Sequence, residues 1–100
     1  MNTWYVYLLF CDQKTFYVGI TDNIKKRLIA HRDKESFFTK KFSDLKLLYC
    51  EKYQNKYLAA NREKQLKGWS VAKKQMLIEG KLGINRIELA EVLGDLDGLP

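Results

Sequence analysis

Two runs of β-branched and aromatic residues, WYVYLLF at 4–10 and FYVGIT at 16–21, stand five residues apart, joined by the polar stretch CDQKT. Such runs favour extended backbone, and so short a polar link reads as the turn of a β-hairpin. Everything downstream has to cover that hairpin. Thr21 or Asp22 offers an N-cap for a helix over about 23–32, and DKESFFTKKFSD is a polar, aromatic-dotted connection. LKLLYCEKY at 45–53 is a third strand. Asn55 caps a helix over about 56–67 closed by Gly68, and Ser70 caps VAKKQMLIE, which stops at Gly80. INRIELAEVL has helical spacing, and GDLDGLP reads as a tail. The order ββαβαα predicts an α+β domain, a small antiparallel sheet covered by helices. The expected organisation is a working domain over 1–80 and a C-terminal helix and tail over 81–100.

One hundred residues with 46% apolar content suffice for one compact core. No apolar run approaches the roughly 20 residues that span a bilayer, and MNTWYVYLLFCDQK lacks the basic start and cleavage site of a signal peptide, so the expected location is the cytoplasm and no membrane partner is expected. Cys11 and Cys50 sit in apolar runs and form no C-x-x-C pair, which predicts buried free thiols. Charge is uneven: residues 1–80 hold 16 Lys/Arg against 8 Asp/Glu, a net +8, whereas residues 81–100 hold 2 against 4, a net −2. A basic working part favours a polyanionic partner, nucleic acid before lipid. Gly19 stands alone, so no glycine-rich phosphate loop follows a strand.

Polar residues intrude on the helical stripes. With Ile24 at zero on a 100° wheel, Leu28 falls near about 40°, His31 near about −20° and Arg27 near about −60°. Glu63 stands four residues after Ala59 and three before Leu66, within the stripe of the later helix. Burying a charge costs several kcal/mol unless something compensates. One account is structural: Arg27 snorkels, His31 is neutral and hydrogen-bonded, and Glu63 pairs with Lys67. The other brings these groups to one cleft. A phosphodiester hydrolase needs a carboxylate for a divalent cation, a cation for the nonbridging oxygens and a proton acceptor beside the attacking water. Glu63, Arg27 and one of Tyr7, Tyr17 or His31 match those needs, although strand tyrosines such as Tyr5, Tyr7 and Tyr17 also serve as plain packing residues.

These residues resemble the GIY-YIG nuclease superfamily, and within it the small stand-alone bacterial proteins called UPF0213 or YhbQ-like. Tyr5-Val6-Tyr7 and Tyr17-Val18-Gly19 look like its two name motifs. Arg27 and His31 in RLIAH look like the Arg and the His or Tyr that follow on its first helix. Ala59, Glu63 and Lys67 in AANREKQLKGW match its later Ala-x-x-x-Glu-x-x-x-Lys pattern, and TKKFSDLKLLYCEKY is similar to its threonine-lysine segment. The likeness covers residues 4 to about 79. Tyr5 stands where the name motif has Gly, and Val71 where many relatives have Arg.

The resemblance implies a three-stranded antiparallel sheet flanked by helices and a metal-dependent endonuclease. Glu63 would bind a single Mg²⁺, for which Mn²⁺ can substitute. Arg27 would hold the scissile phosphate, and Tyr7 or Tyr17 would take the proton from water, leaving 5′-phosphate and 3′-hydroxyl ends. His31, titrating near neutrality, would orient the tyrosine or act as the base itself. Positive charge from Arg27 and the metal would lower the phenol, whose free pKa near 10 makes a poor base. Arg32, Lys67, Lys73 and Lys74 would line the approach to the cleft, with Trp69 stacking on an exposed base or else plugging the core. The expected partner is DNA, with RNA a second candidate, in repair or recombination and with little sequence selectivity. The alternative is a nucleic-acid-binding module of the same fold with weak or no cleavage. A third reading gives residues 84–93 to docking a protein partner or a second copy.

Overall fold

The computed structural model describes residues 3–34, 39–80 and 85–93. Its sheet contains β1 (Trp4–Cys11), β2 (Thr15–Thr21) and β3 (Leu45–Tyr53), all antiparallel, in the order β2-β1-β3. The hairpin closes through Asp12 and Gln13, both left-handed at φ 51 and 57, with Lys14 N–H donating to the Cys11 carbonyl at 3.1 Å. Two left-handed residues make a turn whose twist suits the strands, at a steric cost for residues with a Cβ. Asp12 offsets that cost by accepting, through Oδ1, from Ser43 N–H at 3.0 Å and Asp44 N–H at 2.7 Å.

Because strand side chains alternate, β1 feeds two cores. Val6 and Leu8 join Val18, Tyr49, Ala59, Leu66 and Leu77 on the face covered by α2 (Lys56–Lys67) and α3 (Val71–Ile78). Tyr7, Leu9 and Cys11 join Ile24 and Cys50 on the opposite face, under α1 (Ile24–Arg32) and the short α4 (Leu89–Leu93). Both cysteines are free and buried. Side-chain caps at Asn23, Asn55 and Ser70 start α1, α2 and α3. Each is worth about 1 kcal/mol.

Two local expectations change. The cap of α1 is Asn23, because Thr21 Oγ1 accepts from Asn23 N–H at 3.1 Å and leaves Asn23 Oδ1 for Lys26 N–H at 3.0 Å. Gly68 closes α2 as expected, at φ −82. The C-terminal segment is helical only over Leu89–Leu93; residues 85–87 run beside β3 instead, where Lys52 N–H donates to the Asn85 carbonyl at 3.0 Å and Ile87 N–H to the Cys50 carbonyl at 3.1 Å. The open strand edge takes these backbone groups, which outweighs a weak helical preference. Ile87, Leu89 and Val92 then pack on the protein's own core. They stay half-buried there; Ile84 and the tail at 94–100 lie outside the described residues. Among the described residues no helix is long and apolar enough to cross a membrane.

Candidate active site

The site gathers on the α1 face of the hairpin. Tyr7 and Gly19 are register partners across β1 and β2. A Cβ on residue 19 would lie 2.5 Å from Tyr7 Oη and 2.7 Å from Cζ, so the glycine is the seat of the Tyr7 ring. No bulge occurs there; the one in β3 sets Leu48 apart, between the pairs Leu8 with Tyr49 and Leu9 with Leu47. Tyr17, two residues before Gly19, points to the same face, its ring centroid 6.2 Å from that of Tyr7 and 5.4 Å from that of His31. Its phenol acts on that of Tyr7, which it pushes up. Tyr7 is 1% exposed, whereas Tyr17 is half-buried and closer to solvent.

α1 delivers His31 and Arg27 to different depths. His31, nearest the centre of the stripe, is 1% exposed, with Nε2 3.0 Å from Tyr7 Oη and Nδ1 2.6 Å from Thr39 Oγ1. Arg27, one turn earlier and further round, is exposed at the rim. Its positive charge still acts on both Tyr7 and His31. α2 contributes the carboxylate. Its buried stripe is Ala59, Arg62 and Leu66, which leaves Glu63 half-buried at the edge, where its charge also acts on Tyr7. Lys67 Nζ lies 3.4 Å from Glu63 Oε2, the i, i+4 pair expected in the structural account.

Electrostatics separates the roles of Tyr7 and His31. Burial pushes the Tyr7 phenol well above its usual range, and Tyr17 and Glu63 push the same way; Arg27 pulls it down and loses. Tyr7 is therefore a phenol at neutral pH, not a phenolate. His31 does not titrate near neutrality. Burial, reinforced by Arg27, brings it from 6.5 down to about 4, so its imidazole is neutral under physiological conditions. A histidine that resists protonation when folded favours the unfolded chain as it protonates. Its stabilising contribution is complete above pH 6.5 and lost as pH falls toward 4, a loss of about 3 kcal/mol. Urea unfolding at pH 7 and pH 4.5 should show a steeper acid loss in the wild type than in His31→Gln. Parallel losses would place the pH sensitivity in other groups.

The remaining candidates are scattered. Arg32 is exposed, pairs with Asp33 at 3.2 Å and lines a groove of about 580 Å³ shared with Ile29, Lys34 and Lys46. Trp69 packs half-buried on the core, with the Arg62 guanidinium 5.1 Å and the Lys73 amine 4.5 Å from its ring, so it serves the core and two cations and is not an open stacking platform. Lys67 and Lys73 are exposed, and Lys74 half-buried.

Beneath α2 lies a network that sequence reasoning missed. Glu51, fully buried, accepts from Tyr49 Oη at 2.5 Å, Tyr53 Oη at 2.6 Å, and Arg62 Nε and Nη2 at 2.9 and 3.0 Å. Arg62 also donates to Gln65 Oε1 at 2.8 Å. The bidentate pair fixes the rotation of α2 immediately before Glu63. Its sequence signal was the spacing of Ala59, Arg62 and Leu66, which places an arginine on the buried stripe.

This sheet and its flanking helices have counterparts among known proteins. The family model described as the GIY-YIG catalytic domain matches residues 3–76. The chain is 38% identical over 81 residues to a UPF0213 protein of Syntrophus aciditrophicus, covering 79% of this chain and 93% of that protein. It is 34% identical over 80 residues to a UPF0213 protein of Natronomonas pharaonis, covering 79% and 94%. The solution NMR structure of a UPF0213 protein from Bacillus halodurans superposes with a TM-score of 0.52 at 27% identity, covering 81% of this chain and 87% of that one. The chain belongs to the GIY-YIG nuclease family, and within it to the UPF0213 group.

Proposed function

We propose that this chain is a metal-dependent endonuclease that hydrolyses phosphodiester bonds of DNA with little sequence selectivity, acting on a structured substrate in repair or recombination. The observation that carries the reading is the convergence of Tyr7, Tyr17, Arg27, His31 and Glu63, from β1, β2, α1 and α2, around one rim. The exposed guanidinium of Arg27 holds the nonbridging oxygens of the scissile phosphate. Tyr17, the more open phenol, faces the attacking water. As the water oxygen bonds to phosphorus, its proton passes to the Tyr17 oxygen, the Tyr17 proton to the Tyr7 oxygen, and the Tyr7 proton to His31 Nε2. The bond to the 3′-oxygen breaks, leaving a 5′-phosphate and, after protonation from solvent, a 3′-hydroxyl. The relay avoids a phenolate and ends on an imidazolium, which burial disfavours and the negative charge developing at the phosphate favours.

The donor set fits Mg²⁺ or Mn²⁺. Among the described residues no three of His, Cys, Asp and Glu cluster, and Mg²⁺ is commonly held by one or two carboxylates while keeping several waters. Glu63 would be that ligand. The pair it makes with the exposed Lys67 is worth less than about 1 kcal/mol, so a cation displaces the amine at small cost. When bound, the ion supplies Lewis-acid stabilisation of the leaving oxygen. Lys67, Lys73, Lys74 and Arg32 add phosphate contacts along the approach, and RNA presents the same phosphates.

The test is cleavage of labelled single-stranded, duplex, flap and four-way-junction DNA, with a single-stranded RNA arm, in Mg²⁺ or Mn²⁺. Glu63→Ala and EDTA are each expected to abolish cleavage while binding by anisotropy persists. Cleavage by Glu63→Ala at the wild-type rate would overturn the assignment. Binding without cleavage on every substrate would make the chain a nucleic-acid-binding module.

A further inference from the structure

Thr39 is fully buried in the connection between α1 and β3, where its carbonyl accepts from Phe42 N–H at 3.0 Å. Its hydroxyl meets His31 Nδ1 at 2.6 Å, and the other ring nitrogen meets Tyr7 Oη at 3.0 Å. Exposure of Thr39, His31 and Tyr7 is 0%, 1% and 1%, so bulk water does not reach these atoms and each contact runs from one protein group to another. A neutral imidazole has one N–H and one lone pair, so the role of one ring nitrogen dictates that of the other.

We infer that Thr39 is a positioning residue of this site: its oxygen accepts from His31 Nδ1–H and thereby keeps Nε2 as the acceptor for the Tyr7 hydroxyl. The relative strengths of the groups select this direction. Phenol is the more acidic of the two hydroxyls, and imidazole nitrogen is a better acceptor than a phenol oxygen, whose lone pairs are drawn into the ring. One direction pairs the best donor, Tyr7 O–H, with the best acceptor, Nε2. The reverse joins Thr39 O–H to Nδ1 and makes the phenol oxygen accept from Nε2–H. The depressed proton affinity of His31 keeps the ring neutral in either case.

The direction matters for chemistry. With Nε2 unprotonated, a proton entering at Tyr17 has an open acceptor at the end of the chain. With Nε2–H aimed at Tyr7, that exit is closed. Thr39 sets which way the relay conducts, although it touches neither substrate nor tyrosine.

The chain has one histidine, so its ring nitrogens give the only imidazole signals in a long-range ¹H–¹⁵N spectrum. The expected result is the Nδ1–H tautomer in the wild type and in Thr39→Ser, which keeps the hydroxyl. The isosteric Thr39→Val, which loses the acceptor, is expected to switch to Nε2–H. On the cleaved DNA, Thr39→Val should lower kcat by about 10- to 100-fold with KM unchanged, and Thr39→Ser should restore it. An Nε2–H tautomer in the wild type overturns the inference, as does Thr39→Val with the wild-type tautomer and kcat. The kinetic arm rests on the nuclease reading. A wild type that cleaves nothing overturns that reading alone, and the spectra then decide the placement of Thr39 by themselves.

Discussion

Arg27→Ala is expected to slow DNA cleavage by about 10²- to 10³-fold, the usual effect of removing one donor to the charge that develops in a transition state. The side chain is exposed at the rim of the site, so its loss should leave stability within about 0.5 kcal/mol and the melting temperature within about 4 °C. Single-turnover cleavage at saturating enzyme, read beside a thermal melt, separates the two effects. A fall in melting temperature as large as the fall in rate would make Arg27 a structural residue. Arg27→Lys should fall between, since an ammonium keeps the charge and loses the planar fork.

Arg62→Met should be the most damaging change to the fold itself. It leaves Glu51 buried with its counter-ion gone and only the Tyr49 and Tyr53 hydroxyls to hold it. Breaking a buried pair from one side costs about 3–5 kcal/mol, which for a domain of this size lowers the melting temperature by about 15 °C or more. The double variant Glu51→Leu with Arg62→Met should recover part of that, because no charge is left buried, while the two tyrosine hydroxyls still lack their acceptor. Chemical denaturation of the singles and the double measures the coupling. Strict additivity would mean that the pair does not hold α2.

The contrast between these residues shows what a sequence discloses. β1, β2 and β3, and the caps at Asn55 and Ser70, are set by local chemistry, and their positions follow from residue types and spacing. The polar intrusions at Arg27 and His31 mark the site because a helix wheel puts both beside Ile24 and Leu28. Their different fates are a matter of angle: His31 is buried and Arg27 stays in solvent. Glu51 was not legible, since in LYCEKY it reads as the polar half of an alternating strand. Only α2, 11 residues further on, supplies the guanidinium that lets it be buried. Thr39 shows the same limit, because its partner is eight residues back and the contact forms once the connection folds under α1. Segment 85–87 went astray for a related reason, its conformation being decided by the edge of β3.

The hollow at Gly19 has a meaning beyond seating a ring. If β2 slid by one residue against β1, Val18 or Ile20 would meet the Tyr7 phenol where only a hydrogen fits, and the aromatic face of β2 would turn toward the wrong helices. The hairpin therefore cannot close out of step and still accept its own tyrosine. The tyrosine that the proposed chemistry uses is also the gauge by which the strands find their alignment, so a chain that pairs wrongly cannot assemble the candidate site.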